Sequence, residues 1–156
     1  MDRFLLKVKV GYPGKDDEMK ILEAVSGTGL KIPSAVANKE DILKARSLVK
    51  EIYVDERIRE YIVNLVLATR DPASIKKAEL TSFISVGGSP RASIGLAKAA
   101  KAHAFIEGRG YVTPEDVKAV AMEVLRHRII LSYEAEAEEV SAELVVQKIL
   151  DSVEVP

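Results

Sequence analysis

The sequence predicts a mainly α protein, a small helical bundle preceded by a short N-terminal strand and one further helix. Three observations carry that prediction. Apolar residues recur at helical spacing in several separate stretches, and most of those stretches open on a residue suited to cap a helix. Aromatic residues make up 5% of the chain with no tryptophan, so Ala, Val, Ile and Leu supply the apolar set, which suits helices packed closely through small side chains. With 156 residues, 47% hydrophobic and 30% charged, the chain can bury one ordinary core or two small lobes.

Taken in order, Phe4-Leu5-Leu6-Lys7-Val8-Lys9-Val10 alternates apolar and basic residues and stops at Gly11-Tyr12-Pro13-Gly14, the pattern of a strand and a turn. The acidic opening Asp16-Asp17-Glu18 and the spacing of Met19, Ile21, Leu22 and Val25 predict a helix that ends at Ser26-Gly27-Thr28-Gly29. A connector over 30–38, containing Pro33, marks the expected boundary between a unit over 1–32 and a helical unit over 33–156. Asn38 is placed to cap a helix from Lys39 to about Lys50, with Ile42, Leu43, Ala45, Leu48 and Val49 as its buried stripe. Asp55 is placed to cap the next, whose inward face is Ile58, Ile62, Leu65, Val66 and Thr69, and Asp71-Pro72 stops it. Residues 73–86 fit neither period. Gly87-Gly88 then frees the backbone for a sharp turn, and Ser89 with Pro90 starts an alanine-rich helix to about Ile106. Gly108 and Gly110 end it. Thr113-Pro114-Glu115-Asp116 opens a helix to about Leu125, close to a capping box but with Asp in the third position, and Ser141 caps a last amphipathic helix to Leu150.

Composition narrows the chemistry. The absence of cysteine excludes disulfides and thiolate metal sites, and two histidines far apart in sequence argue against zinc. A formal charge of −1 without an aromatic-interleaved basic stripe argues against nucleic acid. No apolar run approaches a membrane span and no secretory signal is visible, so a cytoplasmic protein is the expectation. Two nucleotide-like patterns fail on their contexts. Gly14-Lys15 lacks a partner glycine and is followed by Asp16, and Ile52-Tyr53-Val54-Asp55-Glu56 is too short an apolar run, with Asp55 better explained as a cap. His103 is expected to pack within its helix, Arg126-His127-Arg128 to complement a helix C-terminus, and Glu134 to Glu139 to form a solvated face. Arg91 stands out because it places a cation at the positive end of a helix, which is unfavourable by about 0.3–1 kcal/mol without an anion nearby.

The blocks Gly87-Gly88-Ser89-Pro90-Arg91-Ala92-Ser93, Gly108-Arg109-Gly110-Tyr111-Val112-Thr113-Pro114-Glu115-Asp116-Val117 and Val124-Leu125-Arg126-His127-Arg128 are similar, in order and spacing, to the C-terminal helical lid of MoxR-family AAA+ ATPases. Asp2-Arg3-Phe4-Leu5-Leu6-Lys7 followed by Tyr12-Pro13 resembles the family's segment after the sensor 1 strand, so the likeness covers nearly the whole chain. It implies that 1–32 is the end of an αβα nucleotide-binding core whose phosphate loop lies outside this sequence, and that 33–156 is the lid. It also implies that Arg91, with Ser89 and Pro90, is the sensor 2 element on an ATP phosphate, and that Arg3 is an arginine finger for a neighbouring subunit. ATP and Mg would belong to the full-length protein and no cofactor to this segment. The implied partners are the core of its own chain, the other subunits of a hexameric ring, and client proteins such as those with von Willebrand factor A domains. On this reading Arg91 is expected to be an exposed, unpartnered arginine here, and the segment alone inactive. The rival reading is a stand-alone helical module that binds protein or DNA.

Overall fold

The computed structural model describes residues 2–26 and 33–156. Among these, the helices run α1 (Lys15–Ser26), α2 (Lys39–Glu51), α3 (Glu56–Ala68), α4 (Pro90–Ile106), α5 (Pro114–Leu125), α6 (Tyr133–Ala137) and α7 (Ala142–Leu150). Two short strands, β1 (Ile84–Val86) and β2 (Ile130–Leu131), pair antiparallel, with Ile84 opposite Leu131. The mainly helical bundle expected from the periodicity is what forms. No helix among the described residues is long and apolar enough to cross a membrane.

The helix starts follow from capping chemistry. Asn38 accepts the Asp41 N–H at 2.9 Å while the Asp41 carboxylate accepts the Asn38 N–H at 3.0 Å, which closes a capping box on α2. Asp55 accepts the Arg57 N–H at 3.0 Å, and Ser89, Ser132 and Ser141 accept N–H groups at the starts of α4, α6 and α7. Thr113 and Asp116 complete a capping box on α5, so aspartate serves where glutamate or glutamine is usual. At the other end of α4, Gly108 takes φ +72, a left-handed turn open to glycine at little cost.

The core lies among α3, α4, α5 and α7, where Leu65, Leu96, Val117, Val124 and Ile149 are fully buried. Each such side chain contributes about 1.5–3 kcal/mol of transfer free energy. The most extensive helix pair is α4 with α5, where Gly95 faces Val124. A Cβ on Gly95 would stand 3.1 Å from Val124 Cγ1 and 3.5 Å from Arg128 Nη2, so the missing side chain makes room for the neighbouring helix and for an arginine. Ile52 and Val54 are buried, and Tyr53 bridges to Tyr111 by backbone hydrogen bonds to Gly110 and Val112. That settles Ile52-Tyr53-Val54 as a packed connector leading to the Asp55 cap.

Two expectations need correction. Residues 4–10 do not form a strand: one backbone hydrogen bond, Lys7 N–H to the Glu123 carbonyl at 2.9 Å, ties them to the bundle, and no neighbouring strand pairs with them among the described residues. Alternation alone cannot make a strand, because the ladder needs a second chain of donors and acceptors. Second, α2 forms where expected but buries no residue, and Ile42, Leu43 and Leu48 are exposed. Its stripe meets α4 across an apolar groove of about 760 Å³ lined by Ile42, Val49, Ala97 and Phe105 among others. Helix α1 forms where expected and likewise buries nothing, while Gly27-Thr28-Gly29 and the boundary expected at 32/33 fall on or beside residues outside the described ones.

At Gly87 the main chain packs directly against Thr69. A Cβ there would lie 2.5 Å from the Thr69 carbonyl oxygen, whereas one on Gly110 would meet nothing within 4 Å. Gly87→Ala should therefore cost about 1–3 kcal/mol in chemical denaturation, and Gly110→Ala less than about 0.5 kcal/mol. Equal effects would show that the loop yields to a Cβ freely.

Candidate functional site

The turn before α4 is held from one side by the end of α3. Thr69, fully buried, donates its hydroxyl to the Val66 carbonyl at 2.6 Å and accepts the Gly88 N–H at 2.8 Å. Next to it, Arg70 Nε donates to the Gly88 carbonyl at 2.7 Å. With both polar groups of Gly88 engaged, Ser89 is fixed as cap and Pro90 as the first helical residue, its ring preset for the helical φ. Arg91 follows, with 58% of its side chain exposed.

An anion lies at this helix start, and it comes from the protein. Asp2 Oδ2 accepts from the Ser89 hydroxyl at 3.0 Å and from Arg91 Nη1 at 3.1 Å. Its other oxygen is 3.3 Å from Nε of Arg128, whose side chain is 3% exposed. Burial acts to raise the Asp2 carboxyl, but the hydrogen bonds from Arg91 and Ser89 and the charges of Arg91 and Arg128 outweigh it and hold the group below its ordinary value. The expectation of an unpartnered Arg91 is thus corrected: the cation is exposed, but a carboxylate meets the destabilising dipole end. An ion pair this exposed contributes only about 0.2–1 kcal/mol, so it exchanges readily.

Arg128 anchors the segment that carries Asp2. Its guanidinium donates to the Phe4, Leu5 and Val124 carbonyls, and His127 Nε2 is 3.0 Å from the Phe4 carbonyl. Arg128 is therefore no simple complement to a helix end. Arg126 is mostly buried too, donating to the Met122 carbonyl and to Glu123 at 3.1 Å. Arg3, between Asp2 and the anchored Phe4, has an exposed side chain.

A second polar cluster lies at the far end of α4. Asp116, fully buried, receives both terminal nitrogens of Arg109, the Thr113 N–H at 2.8 Å, the Thr113 hydroxyl at 3.2 Å, and His103 Nδ1 at 2.7 Å. Burial pushes its carboxyl up, but the Arg109 pair, the Thr113 N–H and His103 outweigh that and hold it far below the usual range. His103, expected to pack, instead has a third of its side chain exposed and joins α4 to the start of α5 through this carboxylate. The cluster brings no nucleophile, and among the described residues no group of three or more His, Cys, Asp or Glu could hold a metal ion.

Residues 78–149 match the family model of the AAA lid domain. Over 99% of its length the chain is 38% identical to Chaperone MoxR1 of Mycobacterium tuberculosis, covering 41% of that protein, and over its full length it is 36% identical to the uncharacterized protein YeaC of Bacillus subtilis, covering 46%. A crystal structure of a protein from Cytophaga hutchinsonii, described as a candidate ATPase, superposes with a TM-score of 0.93 at 39% identity, over 99% of this chain and 47% of that one. The chain belongs to the MoxR family of AAA+ ATPases, as its lid region. It spans less than half the length of each of these relatives.

Within this MoxR lid, Ser89, Pro90 and Arg91 lie together at the start of α4, as the motif suggested, and Arg3 lies on the segment that delivers Asp2 to them. Sequence reasoning missed Asp2, Arg128, Thr69 and Arg70. Asp2 and Arg128 were inside the quoted motifs, and the signal that could have found them was the need of Arg91 for an anion. The Asp116 cluster was signalled only by an aspartate in a capping box, beside an arginine flanked by glycines.

The depressed carboxyl of Asp116 gives its stability contribution a sign. It is fully present above the ordinary carboxylate value of 3.8 and is lost as pH falls below it. Asp116→Asn should be less stable than the parent by about 2–4 kcal/mol at neutral pH, and the gap should narrow in urea melts taken progressively below pH 4. A gap independent of pH would show that the charge of Asp116 contributes nothing.

Proposed function

We propose that this MoxR lid contributes Arg91 to a nucleotide site, where it contacts the terminal phosphates of ATP bound by an AAA+ core and couples hydrolysis to lid movement. The observation that carries the reading is the cationic, hydroxyl-bearing start of α4, where Ser89, Arg91 and Arg128 converge on an anion. A guanidinium stays charged and offers paired donors, which suits phosphate oxygens. The described residues thus fit the phosphate half of Mg–ATP. The magnesium and the attacking water would be held by a core of the kind its longer relatives have room for.

The reading extends to the whole assembly. Arg3, exposed beside an anchored backbone, acts as an arginine finger on the nucleotide of a neighbouring subunit in a ring, hexameric in the simplest arrangement, where such a group stabilises charge on the transferring phosphoryl. The work performed is remodelling of client proteins, with von Willebrand factor A domain proteins as the candidate class. The name of its relative Chaperone MoxR1 supports the chaperone part.

Joined to its nucleotide-binding core, the protein with Arg91→Ala should hydrolyse ATP about 10–100-fold more slowly, with the lid still folded by circular dichroism. Arg3→Ala should lower turnover by about 10³-fold, and mixing with subunits that keep Arg3 but lack a working phosphate loop should restore part of it. Unchanged hydrolysis in the Arg91 variant would remove its assigned role. The 156-residue chain by itself should show no ATP hydrolysis, and turnover by it would refute the division of labour.

A further inference from the structure

The Asp2 carboxylate occupies the place at the start of α4 that a phosphate oxygen would take. It satisfies Ser89 and Arg91 through one oxygen, while its second oxygen and Arg128 Nε, 3.3 Å apart, are both buried without a hydrogen bond. The carboxylate thus stands between two arginines and is bonded to only one of them. Arg128 cannot leave, because its other nitrogens hold the Phe4, Leu5 and Val124 carbonyls and pack against Gly95. Arg91 can, because its head is in solvent.

We propose that Asp2 is a built-in competitor for the anion site of the lid: the Asp2 carboxylate and a ligand of the phosphate or polyphosphate class take Ser89 and Arg91 in turn, with Asp2 falling back on Arg128 when the ligand binds. This rests on the reading of Arg91 as a phosphate contact and adds what holds the site while phosphate is absent. The physical basis is mass action between two anions at one helix start. A terminal phosphate carries more charge and more acceptor oxygens than a carboxylate, so it displaces the carboxylate when it is held near by other contacts. Because Phe4 and Leu5 stay clamped, the displacement is confined to the residues before them, and Arg3 moves with Asp2. The exchange therefore links what Arg91 touches to where Arg3 points.

The test is a titration of the isotopically labelled chain with inorganic triphosphate, followed by amide resonances. In the unaltered chain the Arg91 and Asp2 amides should shift together, with one dissociation constant. A shift of Arg91 without Asp2, or no binding at all, overturns the proposal. Asp2→Asn should bind triphosphate about tenfold more tightly than the parent, while Glu18→Gln, which removes the same charge from the exposed helix α1, should change affinity less than twofold. Equal gains in the two variants would mean that net charge alone is responsible, and the competition would fail. Adding Arg91→Ala to Asp2→Asn should abolish the gain. If it does not, the reading of Arg91 as a phosphate contact fails as well. If Arg91→Ala weakens binding but Asp2→Asn does not strengthen it, that reading stands and only the competition falls.

Discussion

The guanidinium of Arg128, buried where the chain leaves α5, is the contact on which the rest of the site depends. It packs against α4 at Gly95 and holds the carbonyls of Phe4 and Leu5. A segment that makes no strand and buries little apolar surface is thereby tied to the bundle through polar contacts with its main chain. Burying an arginine is costly unless its donors are taken up; here the two terminal nitrogens are met by three carbonyls, while Nε stands 3.3 Å from the Asp2 carboxylate without a hydrogen bond. The same contacts bring Asp2 to the start of α4, so packing in the core decides which charge faces Arg91.

Helix α4 works as a rigid rod with a polar device at each end. At its start, Thr69 and Arg70 fix Gly88, and the bare Cα of Gly87 allows the Thr69 carbonyl to approach. At its far end, His103 reaches the Asp116 carboxylate that also caps α5 and receives Arg109. Between them, Gly95 lets Val124 of α5 pack close. A change in what Arg91 holds is therefore delivered to a helix whose other contacts are stiff. Such an element transmits a shift where a loosely packed one would absorb it.

Most of the large apolar side chains left exposed among the described residues lie within 4–48. The exposed residues of α1 and α2, with Phe4, Val8 and Val10, lie outside the four-helix core, and α2 adds only an open groove against α4. Apolar faces of this kind are the surfaces on which a protein most readily takes a packing partner.

The sequence alone determined where the helices capped by Asn38, Asp55, Ser89, Thr113 and Ser141 begin, since caps and apolar spacing are local properties, whereas the short helix α6 was not foreseen. It also located Ser89, Pro90 and Arg91 as one unit, because they are adjacent in the chain. Tertiary structure alone decided the rest. Whether Ile42 and Leu43 are buried depends on what lies across from α2, and whether 4–10 is a strand depends on a partner that spacing cannot supply. The anion at Arg91 is the sharpest instance: the dipole at the start of α4 demanded a negative charge, but only the fold could bring Asp2 across 89 positions of sequence to provide it.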